Sequence, residues 1–266
     1  PASKGTRPMR LANPLYASLG LLVLVLLAWE FLPPALDVPK FIIPTLTDCL
    51  AELSRMWAFE GLLGHFLSTA LYTVLGFAIG SLLGAVLGYL LGMSEFWEKV
   101  LSPYILALQI APKVAFAPLF VAWLGFGIES KVALAAFIAT FPIVVGTAAG
   151  LHAADENARM LFKTMGASRM QTLIKMKLPT GLPQIFTGLK IGAVGVMAGA
   201  ITGEFLGGGK GFGELIRVAA SQLNTPRVFS LILYLSVVGL VLYLIVQWTQ
   251  RRVVFWQKET VGSYDG

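Results

Sequence analysis

The stretch "GFAIGSLLGAVLGYLLG", Gly76–Gly92, decides the fold of this chain, because it carries no charge and has a glycine at every fourth position. A spacing of four places these glycines in one stripe along a helix, where a second helix backbone can approach closely inside a membrane. A second stripe runs from Gly188 to Gly203. The stripes serve static packing, or they are faces that slide during a conformational cycle. The packing candidates are Gly76, Gly80, Gly84, Gly88, Gly192 and Gly199.

The composition excludes an ordinary soluble domain. Of the 266 residues, 56% are hydrophobic and only 13% are charged, whereas soluble domains carry about 25% charged residues. The net charge of +6 lies between apolar runs rather than on a solvated face. We therefore interpret it as a membrane-topology signal and not as a nucleic-acid interface. The single cysteine, Cys49, excludes an intrachain disulfide.

Six apolar runs are long enough to cross a bilayer as helices, which needs about 20 residues each. These runs are Tyr16–Leu32, Phe66–Gly92, Leu101–Leu124, Val132–Leu151, Leu189–Leu206 and Phe229–Trp248. They predict a membrane domain at 16–250, between short tails at 1–15 and 251–266. A protruding loop is expected at about 152–188, and an interfacial helix between Pro33 and His65.

The distribution of basic residues predicts the orientation. With both termini in the cytoplasm, inside segments hold thirteen Lys or Arg residues and outside segments hold six, with Lys113 inside a span. Cytoplasmic loops carry an excess of Lys and Arg. We therefore expect a multi-pass membrane protein with both termini in the cytoplasm.

The third run contains Pro103, Pro112 and Pro118, which predicts a kinked or broken helix. A lysine in mid-membrane costs roughly 2.5–3.5 kcal/mol, so Lys113 should face the interior of the bundle. Either it bonds to carbonyl groups freed by the prolines, or it lines a solute pathway. Gln109 and Glu204 are the other pathway candidates. Glu204 alternatively is an interfacial carboxylate.

Catalytic motifs are missing from the sequence. The string "GGGKG", Gly207–Gly211, has glycine where a phosphate-binding loop needs Ser or Thr for magnesium. The sequence contains no Ser-His-Asp set, no HExxH and no cysteine-ligand spacing. We therefore expect a transport subunit rather than an enzyme, with no catalytic residue, no metal site and no cofactor of its own.

The basic stretch "LFKTMGASRMQTLIKMKLP", Leu161–Pro179, separates the fourth and fifth runs. We predict a helix capped by Asp155 and reaching Met165, then a turn at Gly166. A second helix capped by Ser168 should follow and stop at Leu178–Pro179. Its apolar side comprises Met170, Leu173, Ile174 and Met176. Such a helix fits a partner groove or lies on anionic lipid, and residue chemistry alone does not separate the two.

A family resemblance favours the partner groove over the lipid surface. The pattern G-x9-[I/M]-x-L-P, at Gly166, Met176, Leu178 and Pro179, resembles the signature loop of permease subunits of bacterial ABC importers. The chain is similar to the nitrate/sulfonate/taurine type from about Pro44 to Leu242. The segments that carry this likeness are "APKVAFAPLFVAWLGFGIESK", "FPIVVGTAAGL", "MGASRMQ", "KLPTGLPQIFTGLKIG" and "GAITGEFLG".

The resemblance implies an all-α, six-span, type I importer permease fold with a cytoplasmic coupling helix. It implies a location in the bacterial inner membrane. The implied partners are two ABC ATPase subunits that bind ATP and Mg, a second permease copy, a periplasmic or lipid-anchored binding protein, and the membrane lipid around the permease. The implied ATPase-coupling residues are Met165, Gly166, Ala167, Ser168, Arg169, Leu178 and Pro179. One departure stands out, because Met160-Leu161-Phe162 occupies the position of the family's Glu-Ala-Ala. Docking should therefore depend on shape and apolar contact.

The implied solute is a heterocyclic thiamine-precursor or riboflavin-like compound, which the Pro112-Lys113 pair favours, or a nitrate-, sulfonate- or taurine-like anion. A secondary transporter without an ATPase is the alternative. It would need ion-coupling carboxylates within the spans, and only Glu30 and Glu204 come near. A third possibility is a non-transporting membrane scaffold, in which Lys113 and the kinked span are merely structural.

Overall fold

The computed structural model describes residues 14–59 and 61–256, which form helices and no strand. The helices are α1 (Pro14–Ala35), α2 (Leu46–Phe59), α3 (Leu62–Met93), α4 (Glu95–Ile110), α5 (Ala117–Leu124), α6 (Ile128–His152), α7 (Glu156–Thr164), α8 (Arg169–Thr172), α9 (Leu178–Gly207), α10 (Phe212–Ser221) and α11 (Thr225–Val253). A 3-10 turn (Lys113–Phe116) precedes α5, and a π-helical segment (Leu173–Lys177) joins α8 to α9.

Five of the described helices are long and apolar enough to cross a membrane: α1, α3, α6, α11 and the continuous helix 169–207. The pair α4 and α5 supplies a sixth span if the two limbs are counted together. The predicted all-α membrane fold is therefore confirmed. The spans are longer than predicted, most of all α9, which begins at Leu178 rather than Leu189.

The chain divides into two compact units. The first contains residues up to 60 together with 219–230, and the second contains 61–218 together with the residues from 231 onward. In the first unit, the Trp29 indole donates to the Pro44 carbonyl at 3.0 Å, which ties α1 to the chain entering α2. Helix α2 lies within the predicted interfacial segment and buries Cys49 and Met56 on one side. The helix is confirmed, and its place at the interface stays a prediction.

Helix α6 is the centre of the second unit and the most buried of the spans. The glycine stripe of α3 packs against it, so that a Cβ atom at Gly80 would lie 2.8 Å from the Ala136 carbonyl oxygen. The stripe of α9 packs against it as well, and a Cβ atom at Gly188 would lie 2.7 Å from the Pro142 carbonyl oxygen. Both stripes therefore bring a backbone against the same helix, which confirms the predicted close packing.

The small side chains of α6 make these approaches possible. Ala135 and Ala139 are fully buried and form one core cluster with Tyr72, Val196 and Ala200. Of the six predicted packing glycines, all lie buried in α3 or α9. The core of the second unit is thus a layer of three helices in the order α3, α6, α9.

Candidate functional site

The segment 155–180 folds into a helix, a glycine turn and a capped second helix. Gly166 has a φ of 71°, a left-handed conformation that strains other residues. The Ser168 hydroxyl accepts from the Gln171 amide at 3.2 Å, and the Gln171 side chain accepts from the Ser168 amide at 2.7 Å. This capping box confirms the predicted turn and the predicted cap. Asp155 stands at the N-cap of α7, but its side chain makes no capping bond to the described first turn.

The predicted stop at Leu178–Pro179 is wrong. The chain continues from α8 through the π segment into α9 as one helix of 39 residues, Arg169–Gly207. The Leu178 amide donates to the Leu173 carbonyl, five residues back, so the hydrogen-bond register changes immediately before Pro179. Pro179 has no amide hydrogen, and at this register change its absence interrupts no regular helical hydrogen bond. Pro179 therefore starts α9 instead of ending α8.

The turn presents apolar side chains to its surroundings. Met165 is 74% exposed and Met170 is 59% exposed, and Ile174 is exposed as well. We call these three residues, with the exposed Met160 and Leu161 of α7, the turn surface. Arg169 and Leu178 are also exposed, whereas Ala167 and Pro179 are half-buried. Met176, predicted on the same apolar side, is buried instead, within the π segment.

Lys177 is the residue that sequence reasoning missed. Its side chain is 7% exposed, and its amine donates to the Gly92 carbonyl at 3.0 Å and lies 3.6 Å from the Met93 sulfur. The carbonyl groups at the end of α3 have no intrahelical partner and carry partial negative charge. A buried cation there joins the segment 155–180 to α3. In the sequence, Lys177 was one more basic residue of a topology signal, and nothing in its local sequence distinguishes it from the exposed Lys175.

The third predicted span is broken, as expected from its prolines. Helices α4 and α5 meet at 91° across the Ala111–Phe116 connection. The Lys113 amine donates to the Gln109 carbonyl at 2.7 Å and lies 5.4 Å from the centre of the Phe141 ring. The broken span is confirmed, and this contact supports the structural interpretation of Lys113. The Gln109 side chain is exposed at the end of α4.

Glu204 is fully buried within the described chain. Its carboxylate accepts from the Gly213 amide at 2.8 Å and so fixes the start of α10. The Lys131 amine donates to the Gly208 carbonyl at 2.6 Å, which holds the same glycine loop onto α6. The third pathway candidate therefore lies at the junction of α9 and α10, apart from the Lys113–Gln109 contact at the break.

Together these features define a class of protein: a multi-span membrane protein in which a helix–turn–helix segment runs directly into a span. The chain belongs to the family of binding-protein-dependent transport system inner membrane components, which matches residues 80–255. It is thus a permease subunit of an ABC importer, a family whose members work with an ATPase and a substrate-binding protein.

Three similar proteins place the chain within this family. The riboflavin transport system permease protein of Chloroflexus aurantiacus is 35% identical over 236 residues, which are 89% of this chain and 88% of that protein. The formylaminopyrimidine transport permease protein of Halalkalibacterium halodurans is 35% identical over 168 residues, 62% of this chain and 67% of its own. A chain of the MetNI methionine ABC transporter superposes with a TM-score of 0.63 at 17% identity. The match covers 72% of this chain and 95% of the other, and it establishes the fold.

Proposed function

We propose that the turn surface is the docking site of an ATPase subunit, and that the chain imports a small heterocyclic solute when that ATPase binds ATP and Mg. The observation that carries this proposal is the exposure of Met165 and Met170 on a turn held by a capping box and continuous with a span. Apolar side chains on a rigid protruding turn are typical of a site that enters a partner's groove. Because α8 continues into α9 as one helix, movement of a docked partner would be transmitted to this span with no flexible linker between them.

The assembly we propose contains two identical permease copies, two ATPase subunits and an external binding protein. Both chain termini and the segment 155–180 lie in the cytoplasm, as the distribution of Lys and Arg favours. Trp123 at the end of α5 and Phe126 just after it are exposed aromatic residues. They favour a second permease copy against this end of the broken span.

The solute we propose belongs to the heterocyclic compounds. Two relatives with 35% identity are named for riboflavin and for formylaminopyrimidine, both of which contain nitrogen heterocycles. The test is uptake into proteoliposomes that contain the permease, its ATPase and its binding protein. Uptake of a labelled pyrimidine or flavin should require ATP and should exceed that of taurine or nitrate. Uptake without the ATPase would identify a secondary transporter instead, and a complex whose ATPase no solute stimulates would identify a scaffold.

Substitutions in the turn surface test the docking site. We expect Met165→Asp to uncouple ATPase activity from transport, because an ionised carboxylate would enter an apolar groove. Gly166→Val should do the same by straining the left-handed turn. Lys99→Asp is the control, since Lys99 is exposed at the start of α4, outside the turn surface. Coupling that survives both turn variants, with the control unchanged, would remove the turn surface from the docking site.

A further inference from the structure

A polar pocket of about 810 Å³ lies between the segment 155–180 and the turn that joins α3 to α4. Its volume falls within the range of about 300–1,000 Å³ that is typical of ligand sites. Four basic side chains line this basic pocket: Arg159 and Lys163 of α7, Arg169 of α8, and Lys177 of the π segment. Arg159 and Lys163 lie four residues apart and share one face of α7. The pocket therefore gathers positive charge from three separate elements.

This charge is not neutralised within the described chain. In residues 14–59 and 61–256, none of the four basic side chains forms an ion pair. The carboxylates of Glu95 and Glu156 line the same pocket, but Glu95 lies 3.9 Å from Lys99 instead. The buried Lys177 amine is bound to a carbonyl group, and Arg159 is close enough to repel it. Because a buried cation is normally paired with an opposite charge, the pocket favours an anionic ligand.

A second space of about 360 Å³ adjoins the basic pocket. The two spaces share Met93, Ser94 and Arg169 in their walls. Tyr89 and Trp97 line the second space, and each is about two-fifths exposed. We call it the aromatic groove. Trp and Tyr rings are enriched where a membrane meets water, so a charged pocket and a membrane-type groove lie side by side.

The length of α3 indicates the depth of both spaces. This helix has 32 residues, which make it about 48 Å long at 1.5 Å per residue. A bilayer with its head groups is about 40–45 Å thick. Met93, the last residue of α3, borders both spaces. The basic pocket and the aromatic groove should therefore lie at the level of the lipid head groups.

We propose that the basic pocket binds the phosphate of an anionic phospholipid, and that the acyl chains of this lipid lie along the aromatic groove. Arginine presents a planar fork of donors that matches a phosphate group, and basic pockets between helices are typical lipid head-group sites. An acidic side chain of a protein partner would use the pocket and leave the groove unused. The bound lipid would link the end of α3 to the segment 155–180, as Lys177 does.

Lipid binding by the purified permease–ATPase complex tests this site. Lipids bound in neutral detergent are counted by native mass spectrometry. We expect phosphatidylglycerol to bind at least about tenfold more tightly than phosphatidylcholine with the same chains. Arg159→Gln and Lys163→Gln should each weaken phosphatidylglycerol binding about fivefold, the usual effect of one Lys or Arg near anionic lipid. Both side chains are exposed, so the variants should fold.

Lys175→Gln is the matched control. It removes the same charge from the same segment, and Lys175 is exposed and lines neither space. Its phosphatidylglycerol affinity should equal that of the unchanged protein. Equal affinities for the two lipids, or an equal loss in Lys175→Gln and Arg159→Gln, would overturn the site, because general surface charge would then explain the binding.

The aromatic groove has its own pair of variants. Tyr89→Ala should weaken phosphatidylglycerol binding about two- to fivefold, since part of the apolar contact with the chains is lost. Tyr104→Ala should not, because Tyr104 is exposed on α4 and lines neither space. An unchanged affinity in Tyr89→Ala would overturn the placement of the acyl chains.

Two further measurements separate a lipid from other anions. Glycerol phosphate, which has the head-group chemistry without acyl chains, should not displace phosphatidylglycerol, and displacement at equal concentration would identify a site for a free phosphate instead. Met160 of the turn surface also lines the basic pocket, so binding is compared with and without the ATPase. Phosphatidylglycerol should stay bound in the complex, and its loss there would assign the pocket to an acidic group of the ATPase. No measurement requires transport, so ATP-driven uptake without a lipid preference refutes only this site.

Discussion

Replacement of Gly188 by alanine should separate α6 from α9. A Cβ atom at this position would lie 2.7 Å from the Pro142 carbonyl oxygen, 3.0 Å from the Gly146 Cα and 3.3 Å from the Ile143 Cα. All three are backbone atoms, so no side-chain rotation relieves the contact. The two helices must therefore move apart along the part of their interface in which both backbones are closest.

Overpacking of this kind costs typically about 1–3 kcal/mol, and the upper half of that range applies because only backbone can yield. Alanine gains about 1 kcal/mol over glycine in a helix, so we expect a net loss of about 1–2 kcal/mol. Gly195→Ala is the matched control in the same helix. Its Cβ atom would meet only the movable Ile138 Cγ2 at 3.3 Å and the Ile138 carbonyl oxygen at 3.9 Å.

Thermal unfolding of the purified protein in detergent is the assay. Gly188→Ala should lower the Tm by about 2–8 °C, the range expected for this loss in a chain of this size. Gly195→Ala should leave the Tm unchanged or raise it, because the helical gain of alanine is then unopposed. Equal Tm values for the two variants would refute the reasoning, since they would show that the α6–α9 contact tolerates an added methyl group.

Three further predictions concern the segment 155–180 and the first unit. Ser168→Ala should destabilise α8 by about 1 kcal/mol by removing its cap, measured as faster amide exchange there with the exchange of α3 unchanged. Lys177→Met should release the end of α3, measured as faster exchange at Gly92 and Met93, whereas the exposed Lys175→Met should have no such effect. Burial raises the pKa of Cys49 to about 11, so at pH 8 only about one thiol in a thousand is ionised. The folded protein should therefore resist maleimide that the unfolded chain takes up within minutes, and rapid labelling of the folded protein would contradict the burial.

Periodicity and backbone chemistry were readable from the sequence. The glycines of α3 and α9 recur at the helical repeat, and close packing requires nothing more than that spacing. The prolines around Lys113 remove amide hydrogens, which predicts a break wherever the chain is placed. The Gly166–Ser168 turn follows for the same reason, since a left-handed glycine before a serine cap is a local arrangement.

What the sequence did not predict has one local cause and two tertiary causes. Pro179 was expected to end a helix, but the π segment before it shifts the hydrogen-bond register and accommodates the ring. Glu204 was left open between a pathway residue and an interfacial carboxylate, and burial within the helices could not be predicted for it because the Gly213 amide at the start of α10 supplies its partner. Lys177 was interpreted as part of a topology signal, and only the approach of the α3 end makes its burial favourable. The π segment adjoins Pro179 in the sequence, but the Gly92 carbonyl is 85 residues from Lys177, so the sequence does not suggest that contact.

The arrangement of α6 and α9 argues against sliding between their faces. Gly150 and Gly181 at one end, and Gly199 at the other, each bring backbone atoms into contact, so a shift along the axis would place a Cβ atom against a carbonyl group. The segment 155–180 begins shortly after the end of α6 and continues directly into α9, so both connections are short. We therefore expect the α6–α9 pair to move as one body. We expect the freedom for a conformational change to lie instead in α4, which buries no residue in the described chain and is bent by 91° from the segment Lys113–Leu124. A disulfide that fixes α6 to α9 should leave transport intact, and one that fixes α4 to α6 should abolish it.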